Sequence, residues 1–303
     1  MMKKLFKVIL AGVLAVSMAV VVCACNKTDN TSSQTQQTSA TETSTDTKPV
    51  ILVVSFGTSY NDSRDKTIGA IEKAIETANP DYEVRRAFTS QIIIDKLKER
   101  DNLEIDNVEQ AFDRLVSDGV KKVVVQPTHL MSGYEYDDLA KATEQYKEKF
   151  DAVAMGKPLL SSDDDFDKIA KLLPEITTNN DDTAYVFMGH GTEHQSNGVY
   201  EKLQKKITAE NIFIGTVEAT PTLDDVVKMA KDGGYKKVTL QPLMVVAGDH
   251  ANNDMANDEE DSWKSVFTRE GFEVECVLKG LGEFEEIQSI YVDHVKTAIA
   301  ELK

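Results

Sequence analysis

VILVVSF (50–56) is an uninterrupted apolar run, the pattern of a parallel strand buried on both faces. After it, Ile68, Ile71 and Ile75 recur at helical spacing and predict a helix from Asp62 to about Ala78. The alternation continues. YEVRRAF (82–88) and KKVVVQP (121–127) read as strands, and VEQAFDRLVSDG (108–119) as a helix closed by Gly119. A helix over 136–149 and a short strand at 152–155 complete a first series. A second series has strands at 184–189, 212–218, 236–242 and 272–278. Its helices fall at 199–207, 222–234, 258–271 and from about Phe284 to Leu302. Strands alternating with helices imply right-handed crossovers and parallel sheets. The expected fold is α/β, with two similar doubly wound parallel-sheet domains and a cleft between them.

The two series share wording. KKVVVQPTHLMSGYE (121–135) and KKVTLQPLMVVAGDH (236–250) align 115 positions apart, while FGTS (56–59) and HGTE (190–193) align 134 apart. The difference places about 19 extra residues in the first half, around 88–106. An internal duplication accounts for this. Its mismatches are informative: Phe56 answers His190, and Glu135 answers His250.

The N-terminus has a different pattern. Lys3, Lys4 and Lys7 precede the apolar stretch LAGVLAVSMAVVV (10–22) and then VCAC, ending at Cys25. This is the pattern of a lipoprotein signal, 1–25, with Cys25 as the acylated residue. Residues 26–48 are Ser, Thr, Gln and Asp with almost nothing to bury, which suits a disordered tether. The expected domains are then 49–160 and 161–303, with the last helix free to pack back on the first. That organisation implies an extracytoplasmic, lipid-anchored protein. Only Cys276 remains after processing, in the strand pattern FEVECVL, where a buried inert thiol is expected. Net charge falls from −17 to −20 when the three signal lysines leave, which argues against a nucleic-acid partner.

Ligands of such sheets bind beyond the carboxyl ends of the strands. His190 follows the strand at 184–189, Glu218 closes the one at 212–217, and His250 lies a short loop beyond 236–241. Two imidazoles and a carboxylate suit a divalent first-row metal and leave a coordination position open. Each residue also has a plainer role, as a helix cap or a partner for a buried carbonyl. An acid at the end of an apolar strand is costly to bury alone, which singles out Glu218. His194 stands four residues after His190, although Gly191 and Thr192 favour a turn. His129, with Glu135, either faces the cleft from the opposite wall or packs its own loop. His294 is expected at the surface, and NDMANDEED (253–261) at a solvated helix start. The chain has no GxGxxG and no P-loop lysine, which removes support for dinucleotide and nucleoside-triphosphate sites.

VSFGTSY (54–60), DYEVRRAFTS (81–90), QPTHLMSGYEY (126–136), MGHGTEH (188–194), VEATP (217–221) and QPLMVVAGDHANNDM (241–255) together resemble the anaerobic cobalt chelatases, sirohydrochlorin cobaltochelatases of the class II chelatase superfamily. The resemblance runs from about residue 50 to about residue 300. It implies two α/β domains around a cleft, and Co2+ insertion into sirohydrochlorin, with Fe2+ handled by some members. The divalent metal is a substrate, and no organic cofactor is implied. The family's metal-binding histidines and glutamate fall on His190, Glu218 and His250. Arg64, Arg85 and Arg86 are candidates for the acid groups of the tetrapyrrole. The alternative is a lipid-anchored protein that binds a tetrapyrrole, haem or a metal for an importer, a reading the tether favours. A homo-oligomer is left open.

Overall fold

No residue of β1 (Val50–Ser55) is exposed, because helices cover both of its faces. The protein is described by a computed structural model over residues 47–177, 180 and 182–302. The expected signal and all but the last two residues of the expected tether lie outside the described residues.

The first half continues with a helical run of α1 (Asn61–Arg64), a π-helical turn (Asp65–Gly69) and α2 (Ala70–Ala78). Then come β2 (Glu83–Phe88), α3 (Gln91–Asp101), α4 (Val108–Ser117), β3 (Lys122–Pro127), α5 (Tyr134–Tyr146) and β4 (Ala152–Met155). The second half has α6 (Asp163–Glu175), β5 (Thr183–Gly189), α7 (Gly198–Lys206), β6 (Ile212–Thr216) and α8 (Leu223–Asp232). It closes with β7 (Lys237–Pro242), α9 (Trp263–Arg269), β8 (Glu273–Cys276) and α10 (Glu285–Glu301).

Two four-stranded parallel sheets result, ordered β2-β1-β3-β4 and β6-β5-β7-β8. The two Lys-Lys-Val strands, β3 and β7, hold equivalent places, as the repeat requires. Strand periodicity sorts the core. Val50, Leu52 and Val54 point to α4 and α5, while Ile51 and Val53 point to a cluster shared by both sheets. In β5, Ala184, Val186 and Met188 face α8 and α9, and Tyr185 and Phe187 enter the shared cluster. Residues 88–106 contain α3, which buries Ile94 and Leu97 against Phe88 and Ile105 and has no counterpart in the second half.

α10 supplies Ile287, Tyr291 and Val295 to the shared cluster. The Tyr291 hydroxyl donates to the Thr128 carbonyl at 2.8 Å, tying this helix to the loop after β3. His294 is not at the surface. Its side chain is 12% exposed, with Nε2 3.2 Å from Asp165 Oδ1 and Nδ1 3.1 Å from the Lys157 carbonyl. Asp165 of α6, itself buried, draws it inward.

A helix boundary shifts from expectation. α9 begins at Trp263 instead of Asp258, because Ser262 caps it by accepting from Ser265 N–H. The stretch 253–261 is therefore no helix start. Its first residues belong to a π-helical turn (Ala251–Met255) with Ala251 and Met255 buried.

Candidate metal centre

The echo of FGTS and HGTE has a backbone cause. Gly57 and Gly191 both hold positive φ, 99° and 82°, in the turn that leaves the central strand of each sheet. A Cβ on Gly191 would lie 2.8 Å from the Ala219 amide nitrogen, and one on Gly57 would strike the Phe88 ring. Glycine lets the turn bend sharply and bring the next strand's loop close. In the first half this presents Phe56, 49% exposed; in the second it presents His190.

β6 stops at Thr216, earlier than the sequence predicts, because Thr216 N–H and hydroxyl both turn to the Pro221 carbonyl. Beyond it, Val217 N–H donates to the Gly189 carbonyl and Glu218 N–H to that of His190, at 3.0 and 2.9 Å. The Glu218 backbone is thus clamped beside His190 while its side chain, 57% exposed, projects from a loop. The expected desolvation cost of this acid does not arise. His250 arrives from the loop after β7. Ala247 N–H on that loop donates to the Ser63 hydroxyl of the first half at 3.0 Å.

One nitrogen of each histidine and a Glu218 oxygen all lie within 4.8 Å of one another. The histidine rings stand edge to face, 4.5 Å between centroids. His190 Nδ1 is 2.7 Å from the Gly191 carbonyl and 3.8 Å from Glu218 Oε2, and His250 Nδ1 is 2.6 Å from Asp254 Oδ2. Metal bonds of about 2.0–2.2 Å need donors about 3–4 Å apart, so small side-chain rotations suffice to close the set on an ion. The donors are two nitrogens and one oxygen, open to solvent on one side, which suits a metal that must enter and leave.

Residues 49–300 match the protein-family model for cobalt chelatase (CbiK). The chain belongs to the cobalt chelatase family. It is 38% identical over 255 residues to the sirohydrochlorin cobaltochelatase of Salmonella typhimurium, covering 83% of this chain and 97% of that one. It is 34% identical over 262 residues to sirohydrochlorin cobaltochelatase CbiKC of Nitratidesulfovibrio vulgaris, covering 84% and 92%. Among solved structures, SirB from Bacillus subtilis with Fe3+ superposes with a TM-score of 0.56 at 12% identity, over 84% of this chain and 97% of that one. That last likeness concerns the fold alone.

The other candidates in this cobalt chelatase chain go elsewhere. His194 caps the turn at 195–197 by accepting from Ser196 N–H, which turns Nε2 to Asp137 of α5 at 3.4 Å. It bridges the two halves. The His129 ring nitrogens turn away from solvent. Both its ring nitrogens are buried without a partner, although the residue as a whole is partly exposed, and desolvation lowers its pKa to about 4. Glu135 is exposed in the first turn of α5. Arg64 is buried beside Asn61 and Asp65, Arg86 is forked onto Glu72, and Arg85 pairs with Glu83 and Asp118. Arg85 and Arg86 line a groove of about 1100 Å³ that none of the three metal-capable residues borders. Burial raises the Cys276 thiol's pKa, which fits an inert thiol, though it is only partly buried.

Two residues with a part in the site carried no sequence signal strong enough to nominate them. Tyr200 is buried, its hydroxyl accepts Gly191 N–H at 3.2 Å, and burial pushes its pKa up to about 12. It props the His190 turn from below. The other is Asp254, whose spacing from His250 was the available clue.

Proposed function

We propose that this protein inserts Co2+, with Fe2+ as a second metal, into sirohydrochlorin or a related tetrapyrrole, and that His190, Glu218 and His250 hold the metal on its way in. The observation that carries this reading is the convergence of three metal donors from three separate strand-end loops, in a member of the cobalt chelatase family. Insertion exchanges two pyrrole N–H bonds for metal–nitrogen bonds, and two protons leave. A site with three protein donors keeps positions free for the ring nitrogens. As the metal transfers, the freed carboxylate and imidazoles can accept the departing protons.

Anaerobic mixing of the purified protein with sirohydrochlorin and Co2+ or Fe2+, followed by absorbance, tests the proposal. Metal-dependent conversion of the ring spectrum supports it. Tight ring binding without metallation under any condition selects the binding-protein alternative. We further propose that Cys25 is acylated, and that residues 26–48 hold the enzyme away from the outer face of a membrane. The support is the VCAC site and the tether composition.

A further inference from the structure

His250 Nδ1 lies 2.6 Å from Asp254 Oδ2, within hydrogen-bond reach. An ionised carboxylate can only accept, so the proton between them sits on Nδ1. Imidazole that is neutral and carries a proton on Nδ1 has a bare Nε2. We propose that Asp254 is a positioning residue that sets the tautomer of His250, leaving Nε2 as its one free donor for the metal. The proposal rests on the reading of His250 as a metal ligand.

The backbone supports this role. A π-helical turn follows His250 and places Asp254 four residues on, on the same side. Burial of Ala251 and Met255 in the α8–α9 core pins that turn. Asn252 Nδ2 donates to the Gly248 carbonyl at 2.8 Å, and Asn253 Nδ2 to Asp249 Oδ1 at 2.9 Å, so the turn is braced on both sides of the pair. His190 is held differently. Its Nδ1 faces the neutral Gly191 carbonyl, which also fixes the proton on Nδ1. A carboxylate makes the stronger bond and raises the ring's strength as a ligand. The two histidines are therefore unequal, and His250 is the firmer anchor.

Long-range 1H–15N spectra of the metal-free protein, with histidine ring nitrogens labelled and His250 assigned through H250A, report the tautomer directly. The wild type should show His250 protonated at Nδ1 and bare at Nε2. In D254A that preference should be lost, Co2+ affinity measured by chelator competition should fall about 10–100-fold, and sirohydrochlorin affinity should hold. D254E should recover part of the metal affinity. D254N can offer an amide N–H to Nδ1 and should shift His250 toward the Nε2-protonated form. Protonated Nε2 in the wild type, or an unchanged spectrum and Co2+ affinity in D254A, overturns the proposal. If H250A itself binds Co2+ as tightly as wild type, the metal-ligand reading fails separately, and the spectra still decide the tautomer.

Discussion

The imidazoles of His190 and His250 meet edge to face, their planes 88° apart and their centroids 4.5 Å apart. They come from loops about sixty residues apart in sequence, brought together because β5 and β7 are neighbours in one parallel sheet. Side chains of this kind, on loops and partly solvent-exposed, contribute little to the core. H190A and H250A should therefore lower metal insertion about 100-fold or more, beyond the range typical of residues behind a ligand. Thermal midpoints should move little. E218Q should weaken Co2+ capture while keeping the loop's shape. Binding of the ring, measured by absorbance titration, should survive all three changes. A variant that loses ring binding and insertion together would place these residues in the tetrapyrrole pocket instead of the metal centre.

The Gly191 turn offers a second test. Alanine there must adopt φ near 82° and bring its Cβ to 2.8 Å from the Ala219 nitrogen. Strain of this kind costs about 1–3 kcal/mol. G191A should lower stability by about that amount and lower insertion further, because the turn carries His190 and abuts the Glu218 loop. Gly198, with ordinary φ and nothing within 4 Å of a Cβ, is the control. G198A should fold at least as stably as wild type. Equal melting temperatures for G191A and G198A would show that the turn tolerates a side chain and that this account of it is wrong.

The sheets were legible because β1 and β5 are apolar runs, and because the two Lys-Lys-Val segments repeat in register. Their equivalent positions in β3 and β7 follow. His190, Glu218 and His250 could be singled out because parallel sheets gather their carboxyl ends at one edge. The rest depended on contacts that no local pattern encodes. Glu218 leaves its strand because Thr216 bonds Pro221. His294 turns inward because Asp165, already accepting from Ser161 and Ser162, lies under α10. Of the arginines expected to meet acid groups, Arg85 and Arg86 are neutralised by Glu72, Glu83 and Asp118, distant in sequence or on the same strand. Asp254 is not legible because the acid-rich stretch reads as a solvated surface, and only the π-helical turn shows that one of its acids faces a histidine.

Anchoring is tested at Cys25, whose reading rests on sequence alone. A cysteine preceded by Ala24 and an apolar core is the residue a lipoprotein pathway would acylate. C25A should release the protein from the membrane fraction or leave it unprocessed, with insertion activity of the folded domain unchanged. Membrane-bound, normally processed C25A protein would count against the lipid anchor and against the proposed location with it.

The last prediction concerns His129. Its two ring nitrogens are buried and unpartnered, and desolvation lowers its pKa to about 4, against 6.5 for the free side chain. Between those values the unfolded chain binds the extra proton and the folded one does not. Stability therefore rises with pH across this window, and it is lost as pH falls from about 6.5 to about 4. At 1.36 kcal/mol per pKa unit the full decline between neutral pH and pH below about 4 is about 3 kcal/mol. The cost of leaving buried polar atoms unpaired is about 1–3 kcal/mol each. H129L removes both effects while keeping an apolar side chain in the loop that Tyr291 and Leu159 hold by the backbone. At pH 7 the variant should be at least as stable as wild type by urea unfolding. At pH 4.5 it should be clearly more stable, because its curve lacks the histidine's share of the decline. Parallel losses in the two proteins over that range would mean that His129 takes up its proton in the folded state and is not sealed from water.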